Sequence, residues 1–290
     1  MYYAIITVSV IMFGIQFLFN DKYQKESGSG TGATFIFSFY SSLAGLICLL
    51  IINKFAVSFT PFTLIMSFLA ALNMLLYNFC SLKAFEHINL SLYSIFAMLG
   101  GMVLPFVTGI LFYNEQLTVG NTICLVLITA ALALTSNKGN KGSKKATLYY
   151  AGVFILNGMA GVISKAYQSA NFQKCDEAVY SIWAAIFGAL VSGIVLLALR
   201  KKLPKTSPKA YIYTAGYGVI NKVANYLLLI ALAVLPASVQ YPFVTGGVMI
   251  VSTAISVITK QKPSKKELLS VALSFIGILA LVLLKGNIHQ

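Results

Sequence analysis

Lys222 is the residue whose type and position most directly suggest chemistry. It stands in the run Gly216-Tyr217-Gly218-Val219-Ile220-Asn221-Lys222-Val223-Ala224-Asn225-Tyr226, about 13 residues into a long apolar stretch. A charge at the centre of a bilayer costs about 3 kcal/mol or more, so such a group either faces a cavity, finds a structural partner, or bends its stem toward the interface. Helical spacing puts Lys222, Asn225 and Tyr226 on one face, which could bind an anionic group. Lys165 lies closer to the end of its own apolar run, where a ligand role and a stem reaching the interface are both open.

Uncharged polar groups accompany these lysines: Gln16, Asn73, Tyr77, Asn78, Tyr93, Asn157, Gln240 and Tyr241 all fall inside apolar runs. Each serves either as glue between helices or as a ligand contact. Tyr77, Tyr93, Tyr226 and Tyr241 could together form a partly aromatic pocket for a small organic solute. Glu115 stands at a helix start, where a carboxylate suits the helix dipole, and is expected to cap the helix that follows it. Lys83 and Glu86 are spaced as a local surface pair. Ala184, Gly188 and Ser192 make a close-packing stripe, within the fold or between protomers.

Other chemistries lack their residues. The chain has only His87 and His289, with no HExxH, no GxSxG and no paired acids in the apolar runs, so the usual hydrolytic and metal constellations cannot be built. No GxxxxGK[ST] loop occurs, which removes direct coupling to a nucleotide within this chain. Cys48, Cys80, Cys124 and Cys175 form no CxxC pair and read as inert residues. No enzymatic activity, cofactor or metal is expected.

The elements that must position these residues follow from composition. Hydrophobic residues make up 58% of the 290, charged residues 10%, and the mean hydropathy is +0.84. A soluble surface needs about a quarter charged residues, so the solvent here is lipid. Apolar runs predict helices at about 2–20, 33–53, 62–84, 88–112, 119–136, 148–170, 178–199, 209–234, 236–259 and 267–284. The fold class is therefore all-α integral membrane, with ten transmembrane helices. The first run has no basic region or cleavage site before it and reads as a retained helix rather than a signal peptide.

The longest polar run, Asn137 to Lys145, falls at the middle of the chain and prompts a search for repetition. At an offset of 147 residues, Tyr2-Tyr3-Ala4 matches Tyr149-Tyr150-Ala151, Gly14 matches Gly161, Leu49-Leu50 matches Leu196-Leu197, Asn78 matches Asn225, Ala84 matches Ala231 and Ser91 matches Ser238. The chain divides into a first five-helix repeat at 1–136, a basic linker at 137–147 and a second repeat at 148–290. With five spans each, the two repeats must enter the membrane in opposite senses. Inverted repeats of this kind mark transporters whose solute site lies near the midplane, where the halves meet. Under that symmetry Asn78 and Asn225 sit at one level, as bracing or as ligand contacts, while Lys222 corresponds to Leu75.

The formal charge of +14 marks topology rather than nucleic acid, since no basic stripe with interleaved aromatics is present. One set of alternate loops holds Lys22, Lys25, Lys83, Lys138, Lys141, Lys144, Lys145, Arg200, Lys201, Lys202, Lys205, Lys209, Lys260, Lys262, Lys265 and Lys266. The other holds only Lys54, Lys174 and Lys285. Positive charge marks the cytoplasmic side, so the linker is expected inside and both termini outside a cell membrane, inner or plasma.

Several short segments sharpen the picture. Ala84-Phe85-Glu86-His87-Ile88-Asn89-Leu90-Ser91 and Ala231-Leu232-Ala233-Val234-Leu235-Pro236-Ala237-Ser238 join the third and fourth helices of each half. Asn114-Glu115-Gln116-Leu117-Thr118 and Lys260-Gln261-Lys262-Pro263-Ser264 precede the fifth, and Phe13-Gly14 and Gly277 lie within helices. These resemble the motifs of the drug/metabolite transporter superfamily, in its ten-helix EamA-type branch. The second half departs from the pattern in carrying Gln261 in place of the motif glutamate, and Pro105 and Pro242 are displaced from the usual sites. The resemblance implies a secondary transporter, an exporter of a small metabolite working by alternating access, with a coupled ion or counter-substrate. No carboxylate lies deep in a span while Lys222 does, which favours an amino acid or other organic anion over a cationic drug. Alternatives are a flippase of lipid-linked cargo, a small-multidrug-type cation exporter and, outside transport, a membrane-embedded enzyme or a scaffold.

Overall fold

Hydropathy and helix-end chemistry together produce ten helices. The computed structural model describes residues 2–28, 30–85, 90–135, 144–200, 203–204, 206–258 and 264–284. The helices are α1 (Tyr2–Ser27), α2 (Thr31–Ile52), α3 (Pro61–Phe85), α4 (Leu90–Tyr113), α5 (Val119–Thr135), α6 (Lys144–Ser169), α7 (Glu177–Leu199), α8 (Pro208–Leu232), α9 (Ala237–Ile258) and α10 (Lys265–Leu283). α1, α2, α7, α8 and α9 are long and apolar enough to cross a bilayer by length and composition, and shorter apolar stretches occupy Pro61–Tyr77, Ala97–Tyr113, Val119–Leu134 and Leu268–Leu283. The chain is an all-helical, multi-span membrane protein.

Local chemistry sets the helix starts. Thr60 accepts from the Thr63 amide at 3.2 Å ahead of α3. Thr118 does the same for Asn121 at α5, Asp176 for Val179 at α7, and Ser207 for Ala210 at α8, where Pro208 opens the helix. Each cap satisfies an amide that the helix itself cannot. The end of α1 differs from the hydropathy reading, which stopped it near residue 20. The helix runs on through polar residues to Ser27 because Tyr23, 2% exposed, packs against Ala33 and Ala210 and donates to the Ala33 carbonyl at 2.5 Å. Gly28, at φ 75°, then ends it in the left-handed conformation that glycine adopts without strain.

The packing order places the core between the halves. The extensive contacts run α1–α8–α2–α7–α3–α6–α4–α9 and back to α1, a closed ring, with α5 and α10 paired outside against α4 and α9. Every adjacent pair in that ring joins a helix of the first half to one of the second. Exchanging each helix for the one five places away maps the ring onto itself. Between α5, α9, α4 and α10 an apolar cluster forms around Met102, Cys124, Ile128, Leu132, Met249 and Leu281.

Glycines let the ring close. A Cβ at Gly100 of α4 would overlap the Phe154 carbonyl of α6, and one at Gly158 of α6 would sit 2.5 Å from the Gly100 oxygen. A Cβ at Gly218 of α8 would overlap the Ser41 carbonyl of α2. Gly188 of α7 faces the Ser42 hydroxyl of α2, and Ser192 is buried, so the small-residue stripe of α7 packs within the fold. Gly158→Val is expected to push α4 and α6 apart and cost about 1–3 kcal/mol, the usual range for overpacking. Thermal unfolding in detergent would show a lowered midpoint, whereas Leu197→Ala, at a 72% exposed position, should leave it unchanged.

Candidate functional site

Four of the polar side chains singled out in the sequence cross from one helix to the backbone of another. The Asn73 amide of α3 donates to the Leu156 carbonyl of α6 at 2.9 Å, and the Asn157 amide of α6 donates to the Ala97 carbonyl of α4 at 2.6 Å. The Tyr241 hydroxyl of α9 donates to the Gly161 carbonyl of α6 at 3.1 Å. Gln240 is fully buried, and its amide nitrogen donates to the Leu228 carbonyl at 3.0 Å while its Oε1 has no partner. Such bonds brace helices where no water can serve the freed groups.

α8 carries the exception. Ser9 of α1 donates to the Ala224 carbonyl at 3.2 Å, and the Asn221 amide donates to Gln16 Oε1 of α1 at 2.9 Å, fixing that side of α8 to α1. On its other side, Lys222 lays its Cβ and Cγ across Gly45 of α2, where any larger residue would collide. Lys222 is partly buried and makes no hydrogen bond or ion pair among the described residues. Asn225 is exposed and donates only back to the Asn221 carbonyl at 2.8 Å. Ile212, 67% exposed, marks the outer side of α8, and Asn225 lies thirteen residues on. At 3.6 residues per turn the two point about 140° apart, so the Asn225 amide looks inward, between the α1 and α2 contacts. Tyr226 is partly buried one residue further on. Tyr77 of α3 is partly buried and interacts electrostatically with Tyr217 of α8, whose ring packs 4.6 Å from that of Phe37. The side chains of Asn78, Tyr93 and Lys83 and the whole of Glu86 lie outside the described residues. A depression between Gly30–Ala33 and the side chains of Leu199 and Pro204 is lined by neutral groups.

Lys165 belongs to a second polar centre. Its ammonium lies 2.6 Å from Glu115 Oε1, with side-chain exposures of 11% and 6%, and 5.4 Å from the centre of the Tyr113 ring. It therefore does not stand alone. Glu115 does not cap α5, as its place in the sequence suggested, since Thr118 does. The backbone at Asn114 takes a left-handed turn at φ 51°, a conformation that asparagine tolerates, and sends the Glu115 side chain back toward Gly109 and on to the start of α9. There its two oxygens accept from the Ala237 and Ser238 amides, each at 2.8 Å. Asn121 adds a 3.4 Å contact to the Ser238 hydroxyl. The glutamate was visible in the sequence, whereas its distant partners carried no signal there.

Residues 147–283 match the EamA-like transporter family. The resemblance to the drug/metabolite transporter superfamily drawn from the motifs holds on that half. No curated protein matches the chain by sequence. A crystal structure of a protein superposes over 100% of this chain and 99% of its own at a TM-score of 0.79 and 15% identity, so the fold, at least, is shared across both halves. EamA-like proteins are integral membrane transporters rather than enzymes, and the family suggests movement of small molecules across a bilayer.

Burial by itself would raise the Glu115 carboxyl, but the Lys165 ammonium and the Ser238 and Ala237 amides outweigh it and hold the group below the usual glutamate range. A depressed carboxyl contributes its full stability above its unfolded pKa, about 4.3, and loses it as pH falls through the lower folded value. The midpoint of thermal unfolding should therefore drop below about pH 4 in the parent. Glu115→Gln should destabilise at neutral pH by about 3–5 kcal/mol, because it leaves Lys165 buried and uncompensated, and should lack the parent's acid-dependent step. A pH series of melting curves for both proteins checks this.

Proposed function

We propose that this chain is a secondary-active exporter that moves a small organic anion, such as an amino acid, by alternating access between residues 1–136 and 148–290. The observation that carries this reading is Lys222. A lysine in the middle of a span with no partner among the described residues, beside an inward-facing amide at Asn225, needs a counter-charge that the neighbouring side chains do not supply. A carboxylate or phosphate supplies it. Asn225 and Tyr226, on the same face of α8 as Lys222, and Tyr77 and Gln16 on neighbouring helices are the residues that would shape such a site. Gln240 Oε1, buried and without a partner, offers an acceptor on α9 for a donor group of the solute.

The inverted-repeat reading is supported by a ring that maps onto itself when the halves are exchanged, and by matched residues at an offset of 147. Halves that meet along every ring contact can rock against each other around a central site. The loop charges support an orientation with the 137–147 linker in the cytoplasm and both termini outside. A coupled ion or counter-solute accompanies the anion, since no nucleotide loop is present to drive the cycle.

Thermal-shift measurements on the purified protein with glutamate, a neutral amino acid, inorganic phosphate and tetraphenylphosphonium test the substrate class. A solute at 100 times its Kd stabilises the folded state by about 2.7 kcal/mol. At least one anion or amino acid is expected to raise the midpoint in the parent and in Lys222→Arg but not in Lys222→Met. An equal shift in Lys222→Met, or a shift by the cation alone, would overturn the assignment.

A further inference from the structure

The contact between Glu115 and Lys165 joins the halves in a way that the other polar contacts do not. The carboxylate belongs to the first half. Its three donors, the Lys165 ammonium on α6 and the Ala237 and Ser238 amides at the start of α9, all belong to the second. One rigid movement of the halves apart at this end breaks all three bonds together. The carboxylate is received in a prepared place: Gly109 leaves the room that a Cβ would fill, and the Asn114 turn aims the chain. The Tyr241 hydroxyl, bonded to the Gly161 carbonyl, keeps the donor helices α6 and α9 together as one body.

The same end of the ring is tied once more between the halves. Thr63 of α3 lies 3.2 Å from the Tyr167 hydroxyl of α6 and accepts the Cys175 amide at 2.9 Å, while Tyr167 donates to the Cys175 carbonyl at 2.6 Å. At the opposite end, the tie between Ser207 and Glu26, 2.9 Å long, also crosses the halves but is exposed, where water can replace it.

We propose that Glu115 and Lys165 form the latch of a gate at the end bearing the α4–α5 and α8–α9 links, and that the carrier without solute rests with this end closed. The proposal rests on the alternating-access reading above, and the asymmetry of the repeat gives it direction. Under the repeat, Lys165 corresponds to Leu18, and the motif that carries Glu115 has Gln261 in the second half. A leucine and a glutamine cannot make an ion pair, so the repeat supplies no counterpart of this contact at the basic-loop end. A two-state carrier populates the state with the stronger gate, and the loop charges make that state open toward the cytoplasm.

The test reads accessibility and needs no known solute. Ser238 is fully buried beneath the latch, so Ser238→Cys, in full-length protein with Cys48, Cys80, Cys124 and Cys175 replaced by alanine, reports opening to a membrane-impermeant maleimide applied to intact cells. Glu115→Gln and Lys165→Gln should each speed labelling by about tenfold or more, and the double variant should add little, because the two residues act as one contact. Gly109→Ala, which crowds the carboxylate, should speed it as well. Variants that elute as monodisperse protein yet label at the parental rate would overturn the latch, as would a fully additive double variant. The latch is read by labelling and the anion assignment by thermal shift, so loss of the anion assignment leaves the latch standing, and failure of the latch leaves the anion assignment to its own test.

Discussion

Hydrocarbon offers no hydrogen bonds, and that single deficiency shapes the interior of this protein. Each amide or hydroxyl within a span must reach another part of the chain, and several here reach across to the backbone of another helix. Asn73 to Leu156, Asn157 to Ala97, Tyr241 to Gly161 and Ser9 to Ala224 are four versions of one solution. The reach is short because glycines bring the backbones together, as Gly100 and Gly158 do between α4 and α6. Close approach and polar bracing therefore depend on each other: without the glycines the amides fall short, and without the amides the approach gains little in lipid.

Against that background of satisfied groups, two polar centres stand apart. Lys222 has no partner among the described residues, and Glu115 has three. A bare ammonium within a span is a demand for a ligand, while a carboxylate held by an ammonium and two amides has its demand fully met. The two lie on different levels of the bundle.

Much of this was legible in the sequence. Hydropathy located all ten helices, with ends within a few residues except at α1, where a polar extension stays helical because Tyr23 is anchored between α2 and α8. Hydropathy reports where lipid ends, not where a helix ends, so that error was built into the signal. Lys222 was visible for the opposite reason, as the one charge deep in a helix. The partner of Glu115 was not visible: local rules put a carboxylate at a helix start on its own helix, and only the ring brings the start of α9 under the end of α4. Gln16 could be singled out as polar, but its pairing with Asn221, 205 residues away, follows from packing that no local pattern encodes.

The alternation of halves around the ring also bears on how the molecule comes into being. When α1 to α5 have left the ribosome, none of them has yet met its ring neighbours, all of which are still to be made. Asn73 waits in the bilayer for a carbonyl on α6, Ser9 for one on α8, and Gly45 faces lipid where the stem of Lys222 will lie. The first half thus enters the membrane as an open set of helices with several polar groups still lacking their second-half partners, and its ring closes only as the second half threads between its members.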